Sequence, residues 1–127
     1  MMKPQTLRRL AGNYAVARLA PDSPIPAWAD GEGFVSISRT DDELSIVCLA
    51  MRVPTGTQSS GPWQCFKLQG PFDFDEYGIL LSIVNPLSTA GLGVFVVSSY
   101  DTDHLLLQHS VAERGIALLH EAGHRIV

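Results

Sequence analysis

The chain has 127 residues, of which 46% are apolar and 17% are charged, and its net charge is −4. This size allows a real hydrophobic core, and the composition excludes a disordered tail and a coiled coil. The sequence contains no basic cluster that could replace counterions on phosphates, which makes nucleic acid an unfavourable partner. The acids of the second half favour a group that carries an ammonium or a guanidinium; they cluster at Asp73, Asp75 and Glu76, and at Asp101 and Asp103.

Cellular setting is indicated by the cysteines and by the first residues. Cys48 and Cys65 each lie in an apolar run, and the N-terminal residues carry no hydrophobic signal core. We therefore expect a reducing, cytoplasmic setting without a membrane. The uncharged stretch 77–100 is long enough to cross a bilayer, but Asn85-Pro86 and two glycines interrupt it, so it predicts a helix followed by a strand.

The first half predicts mostly strands. Apolar residues indicate a strand over 14–19, and period-two alternation predicts a hairpin made of 34–38 and 44–49. The proline-rich stretch around Trp28 leaves room for at most a short helix. Pro, Gly and Ser dominate 54–62, which is the best internal boundary.

The second half predicts the order strand, helix, strand, strand, helix, strand. This split βαβ arrangement places two helices on one face of an antiparallel sheet. Pro86 should bend the first helix or end it early, and Ser110-Val111-Ala112-Glu113 reads as a capping box that opens the second. The predicted strands are 63–68, 92–99, 104–108 and 124–127, and the helices begin near Asp75 and Ser110.

The two halves together predict the fold class. The first half repeats the order of the second in a degraded form, without room for a second helix. We predict an α+β protein of two tandem ferredoxin-like βαββαβ units, with domains at 1–60 and 61–127 and with strand 63–68 able to serve both sheets. The incomplete first unit leaves a sheet edge uncovered, so we expect a homodimer.

Three segments of the second half resemble ACT domains. Residues 74–79 (FDEYGI), 85–87 (NPL) and 94–103 (VFVVSSYDTD) are similar to the ACT units of aspartate kinase regulatory regions and of the cytosolic arginine sensors called CASTOR. The first half resembles, more weakly, the N-terminal units of short bacterial ACT proteins.

The resemblance implies a non-catalytic regulatory module that needs no cofactor and binds a free amino acid where two ACT units meet. Asp73 stands where the arginine sensors have a glycine, and Asp101 stands where they have a small polar residue. The resemblance therefore leaves the identity of the amino acid open. Carried over by position, the ligand-binding residues are Glu76, Ser99, Tyr100, Asp101, Thr102 and Asp103.

The acids also have an ordinary structural interpretation. Asp75 at a helix start would cap backbone donors, and Asp101 and Asp103 are typical turn residues. On that interpretation the chain is a purely structural interaction or dimerisation domain without a ligand.

A remote alternative is a zinc hydrolase. His120-Glu121-Ala122-Gly123-His124 matches the H-E-x-x-H pattern, in which two histidines on one helical face bind zinc and the glutamate acts as base. Gly123 breaks the second turn, and neither His104 nor His109 forms a convincing third-ligand pattern. We therefore predict no bound metal.

Overall fold

The computed structural model describes residues 4–69 and 78–127. The described residues form two compact units: 11–63 is the N-terminal unit, and the remainder is the C-terminal unit. The residues before position 11 thus belong with the C-terminal half of the chain. The fold is α+β, as predicted. In the described residues the strands and helices are β1 (Thr6–Arg9), β2 (Tyr14–Leu19), β3 (Ser36–Arg39), β4 (Leu44–Leu49), β5 (Ser59–Leu68), α1 (Ile79–Thr89), β6 (Phe95–Ser98), β7 (Asp103–Gln108), α2 (Ala112–Glu121) and β8 (Arg125–Ile126).

The N-terminal unit is an antiparallel sheet in the order β3-β4-β2-β5. The predicted strand at 14–19 and the predicted hairpin are confirmed, since β2 and β3 both pair with β4. The short helix expected around Trp28 is a 3₁₀ turn at Ala27–Ala29. The core of this unit includes Ala17, Ala29, Leu44, Ile46 and Cys48, all fully buried.

The C-terminal unit is a sheet in the order β6-β7-β5-β1-β8. Its βαββαβ order from β5 to β8 is the one that the sequence predicts. The sequence did not predict β1, which inserts between β5 and β8 and runs antiparallel to β5 and parallel to β8. Leu7 of β1 is fully buried, so this strand contributes to the core.

Strand β5 takes part in both units. Its first half pairs with β2, where Trp63 lies opposite Tyr14, and its second half pairs with β1, where Leu68 lies opposite Leu7. The shared strand is confirmed, and it begins at Ser59 rather than at residue 63.

Both helices of the C-terminal unit pack on one face of its sheet. Their apolar residues meet those of β1, β5 and β7 in a common core. Gly115 of α2 allows this close approach, because a Cβ at that position would lie 2.5 Å from Cδ1 of Leu107. No helix in the described ranges is long and apolar enough to cross a membrane.

One local prediction was wrong, and one of two alternatives in another is excluded. Helix α1 continues through Pro86 to Thr89, so the proline does not end it early. Ser110 lies in a 3₁₀ turn, and α2 begins after Val111 without a side-chain cap. Glu113, the expected partner of Ser110, instead accepts a hydrogen bond at 2.9 Å from Arg9, so tertiary contact replaces the capping box.

Candidate functional site

The turn between β6 and β7 holds most of the predicted ligand residues and is closed by its own hydrogen bonds. The backbone N–H of Ser99 donates to the carbonyl oxygen of Thr102 at 2.8 Å, and the Ser99 hydroxyl donates to the same oxygen at 3.0 Å. The Ser99 side chain therefore shapes the turn.

Thr102 fixes this turn to the sheet. Its hydroxyl donates to the carbonyl oxygen of Leu68 at 2.7 Å, at the end of β5. Leu68 stands two positions before segment 70–77, which contains Glu76. Glu76, Asp73 and Asp75, and with them the predicted helix start near Asp75, lie outside the described residues.

The remaining candidates of the turn differ in exposure. Tyr100 is 79% exposed and Asp101 is exposed, whereas Asp103, the first residue of β7, is half-buried. Two carboxylates thus stand at a turn whose backbone is held by three hydrogen bonds. This arrangement can accept hydrogen bonds from an ammonium or a guanidinium.

The two histidines of the H-E-x-x-H pattern do not form a metal site. His120 is exposed, whereas His124 is buried beyond Gly123. Nδ1 of His124 accepts from the backbone N–H of Gln5 at 3.0 Å, so Nε2 carries the proton and donates to the carbonyl oxygen of Ser82 at 2.9 Å. Both ring nitrogens are thereby used, and the described residues contain no group of three His, Cys, Asp or Glu side chains suited to a metal.

The contact between His124 and Ser82 also explains why α1 tolerates its proline. Pro86 has no N–H, so the carbonyl of Ser82, four residues earlier, lacks its usual helical donor. The imidazole of His124 supplies a donor to that oxygen. The helix therefore continues with this carbonyl satisfied.

The two cysteines are structural. Both are buried free thiols, as expected from their apolar runs. Burial raises the pKa of the Cys65 thiol to about 12. Burial also raises the pKa of Cys48, against a smaller opposing effect of the Arg52 charge. Neither thiol is suited to act as a nucleophile at neutral pH.

The N-terminal unit contains a cavity of about 330 Å³ beside the loop that precedes β5. Ala15, Val53 and Pro62 supply apolar walls, and Thr57 and Ser60 supply hydroxyls. None of the described residues that line it is charged, so they offer no counter-charge to a zwitterion.

Two family models match the chain. The model described as the ACT domain matches residues 58–121, which is 64 of the 127 residues. A model described only as the N-terminal domain of its family matches residues 12–56.

The chain is also similar to individual proteins. The chain is 37% identical over 120 residues to the cytosolic arginine sensor for mTORC1 subunit 1 of Bos taurus, a match that covers 84% of this chain and 36% of the sensor. The chain thus spans about a third of the length of that curated relative. The crystal structure of the Agrobacterium tumefaciens protein Atu0741 is 54% identical, with a TM-score of 0.94 over 99% of this chain and 94% of that one. Aspartate kinase of Clostridium acetobutylicum shares the fold, with a TM-score of 0.63 and 12% identity over 91% of this chain and 33% of the kinase.

Proposed function

Because this chain belongs to the ACT domain family, we propose that it is a non-catalytic regulatory module that binds a free amino acid. The related bovine protein is named as an arginine sensor, which supports this class of ligand. The chain covers 36% of that relative, so the pathway and the partner that the module regulates are not carried over from it.

The observation that carries the proposal is the turn between β6 and β7. Ser99 and Thr102 hold its backbone, and Thr102 ties it to the end of β5. Asp101 and Asp103 then offer carboxylates on a backbone that these hydrogen bonds already hold. We propose that they receive the cationic group of the amino acid, that Tyr100 covers it, and that Glu76 contributes a further carboxylate.

The experiment is a thermal-shift screen of the free amino acids, with arginine and lysine included. A ligand present at about a hundred times its dissociation constant stabilises the folded state by about 2.7 kcal/mol, which raises the melting temperature measurably. Asp103→Asn keeps the shape of the side chain and removes its charge, so we expect it to abolish this rise.

The matched control is Asp41→Asn, which removes one carboxylate at the exposed turn between β3 and β4. We expect this variant to respond to the ligand as the parent protein does. If no amino acid raises the melting temperature, the ligand-binding proposal fails and the interaction-domain alternative takes its place.

The proposal includes a cytoplasmic homodimer. Among the described strands, β6 pairs only with β7, and its residues Phe95 to Ser98 carry no charge. An uncharged edge strand is a ready surface for another chain. We expect light scattering at micromolar concentration to report a dimer that Val97→Lys weakens, while Ile37→Lys on β3 leaves it intact; a monomeric parent protein would contradict this part of the proposal.

A further inference from the structure

The sheet of the C-terminal unit has a second face, opposite the two helices. Side chains alternate along a strand, so residues between core positions point to this second face. Lys67 lies between Phe66 and Leu68, and both of these neighbours belong to the helix-side core. The same alternation places Arg8 beside Leu7, His104 beside Leu105, and Arg125 beside Ile126, and each of these apolar neighbours packs in that core.

One basic residue from each of four adjacent strands therefore shares this face. Strands β7, β5, β1 and β8 are neighbours in that order. We call the set His104, Lys67, Arg8 and Arg125 the basic row. The row was not visible in the sequence, because it depends on β1, which the sequence did not predict.

The register brings the permanent charges of the row close together. Arg8 lies directly opposite Lys67 in the antiparallel pair, and Arg125 lies opposite Thr6, two residues from Arg8. Neighbouring strands are about 4.8 Å apart and two residues along a strand span about 7 Å, so Lys67 and Arg8 are direct neighbours and the backbone at Arg125 lies about 12 Å from that at Lys67. Like charges directly opposite each other on a sheet destabilise it unless something compensates them.

Among the described residues, no acid forms an ion pair with Lys67, Arg8 or Arg125. The ion pair found there joins Arg9 to Glu113, on other side chains. His104 is buried, Lys67 is half-buried, and Arg8 and Arg125 are exposed. The row thus begins at a buried imidazole and opens to solvent along β1 and β8.

The positive charge of the row affects the pKa of the His104 imidazole. Its pKa is lowered from 6.5 to about 4, first by burial and then by the charge of Lys67, with a smaller lowering by Arg8. Asp103, the preceding residue on β7, acts in the opposite direction. His104 is therefore neutral at pH 7 while its neighbours on β5 and β1 remain charged.

We propose that the basic row binds a compact oxyanion that carries two negative charges, either a phosphate group or a dicarboxylate. Lys67 provides a point charge and Arg8 a planar fork of donors, and oxygens of one such anion can bridge them. Arg125 adds a third cation on the solvent side. This site lies on the face opposite the helices and takes a ligand without an amino group, so it goes beyond the amino-acid site and either proposal can fail alone.

The first test is calorimetry on the full chain at pH 7.5 and constant ionic strength, with inorganic phosphate and succinate as probes. We expect at least one probe to bind with a dissociation constant below about 1 mM. Arg8→Gln and Lys67→Gln should each weaken that binding by about tenfold or more, because each removes a charge-assisted hydrogen bond. Arg114→Gln is the matched control, since it removes one exposed cation from α2 and should leave the affinity unchanged.

The second test follows His104 by NMR in sulfate and in chloride, because sulfate stays doubly charged where this imidazole titrates. An anion held beside the ring should raise its pKa by about one unit or more, while the exposed His120 shows no such difference. Binding of phosphate alone assigns the site to a phosphate group, and binding of succinate alone assigns it to a dicarboxylate. The proposal is overturned if neither probe binds or if Arg8→Gln binds as the parent does. Where phosphate binds, an equal pKa of His104 in the two salts also overturns it, because sulfate has the same tetrahedral shape and double charge.

Discussion

The imidazole of His124 supplies the hydrogen bond that Pro86 cannot. Proline at this position removes the amide that would normally reach the carbonyl of Ser82, and Nε2 of His124 donates to that oxygen at 2.9 Å. The other ring nitrogen accepts from the amide of Gln5 at 3.0 Å. A histidine that matches half of a zinc pattern is thus a structural link between α1, the start of β1 and the end of the chain.

A double-mutant cycle tests this link. His124→Ala leaves a buried carbonyl and a buried amide without their partner, and we expect it to cost about 3 kcal/mol of unfolding free energy. Pro86→Ala restores an amide to the helix, so the same His124→Ala change should cost about 1 kcal/mol less in that background. Urea denaturation measures both. The control His120→Ala should change stability by less than about 0.5 kcal/mol, and equal costs in the two backgrounds would contradict the link.

Metal content provides a separate test of the H-E-x-x-H pattern. Since both nitrogens of His124 are hydrogen-bonded within the protein, we expect elemental analysis to find no stoichiometric zinc. A chelator should leave the melting temperature unchanged. One zinc per chain that disappears in His124→Ala would show that this histidine is a ligand after all.

The order of elements in the C-terminal unit could be predicted because each has a clear period. Strand β1 could not, since Thr6-Leu7-Arg8-Arg9 contains a single apolar residue and is a strand only through its pairing with Phe66, Lys67 and Leu68. The start of α2 was misplaced for a similar reason, because Glu113 forms an ion pair with Arg9 rather than a local cap. For the candidate site, the sequence predicts which residues form the turn. It does not show that the hydroxyl of Thr102 donates a hydrogen bond to the carbonyl oxygen of Leu68.

Replacing Gly115 by alanine should destabilise the protein, although helix propensity alone predicts a gain in stability. Alanine normally stabilises a helix by up to about 1 kcal/mol relative to glycine. At this position the new methyl would lie 2.5 Å from Leu107 and 3.6 Å from Leu87, so we expect Gly115→Ala to destabilise the protein by about 1 to 3 kcal/mol. Thermal and urea unfolding measure the change. Ala117→Gly on the exposed side of α2 is the reference for propensity alone, and a Gly115→Ala variant more stable than the parent would refute the close contact.

The cysteines give a prediction about reactivity. Because burial raises the pKa of Cys65 to about 12 and also raises that of Cys48, both thiols should resist a thiol reagent at pH 8 in the native protein. In urea, where the chain is unfolded, both thiols should react rapidly. Fast labelling of either cysteine under native conditions would show that its strand opens more readily than the fold implies.

His104 predicts how stability depends on pH. The pKa of His104 is about 4 in the folded protein, against 6.5 for an unperturbed histidine side chain in water. Between pH 4 and pH 6.5 the unfolded chain therefore binds the proton more tightly than the folded protein does. The contribution of neutral His104 is therefore complete above pH 6.5 and is lost as the pH falls towards 4. We expect a loss on the order of 2 kcal/mol across this window, because salt and solvent screen part of the effect of Lys67 and Arg8.

Acidic side chains also titrate there, so the informative quantity is the difference between the parent and His104→Gln, whose unfolding free energy should fall less steeply. His120→Gln serves as the control, since it removes an exposed histidine and should leave the parent's slope unchanged. Equal slopes for the parent and His104→Gln would mean that the imidazole is protonated as easily in the folded protein as in the unfolded chain.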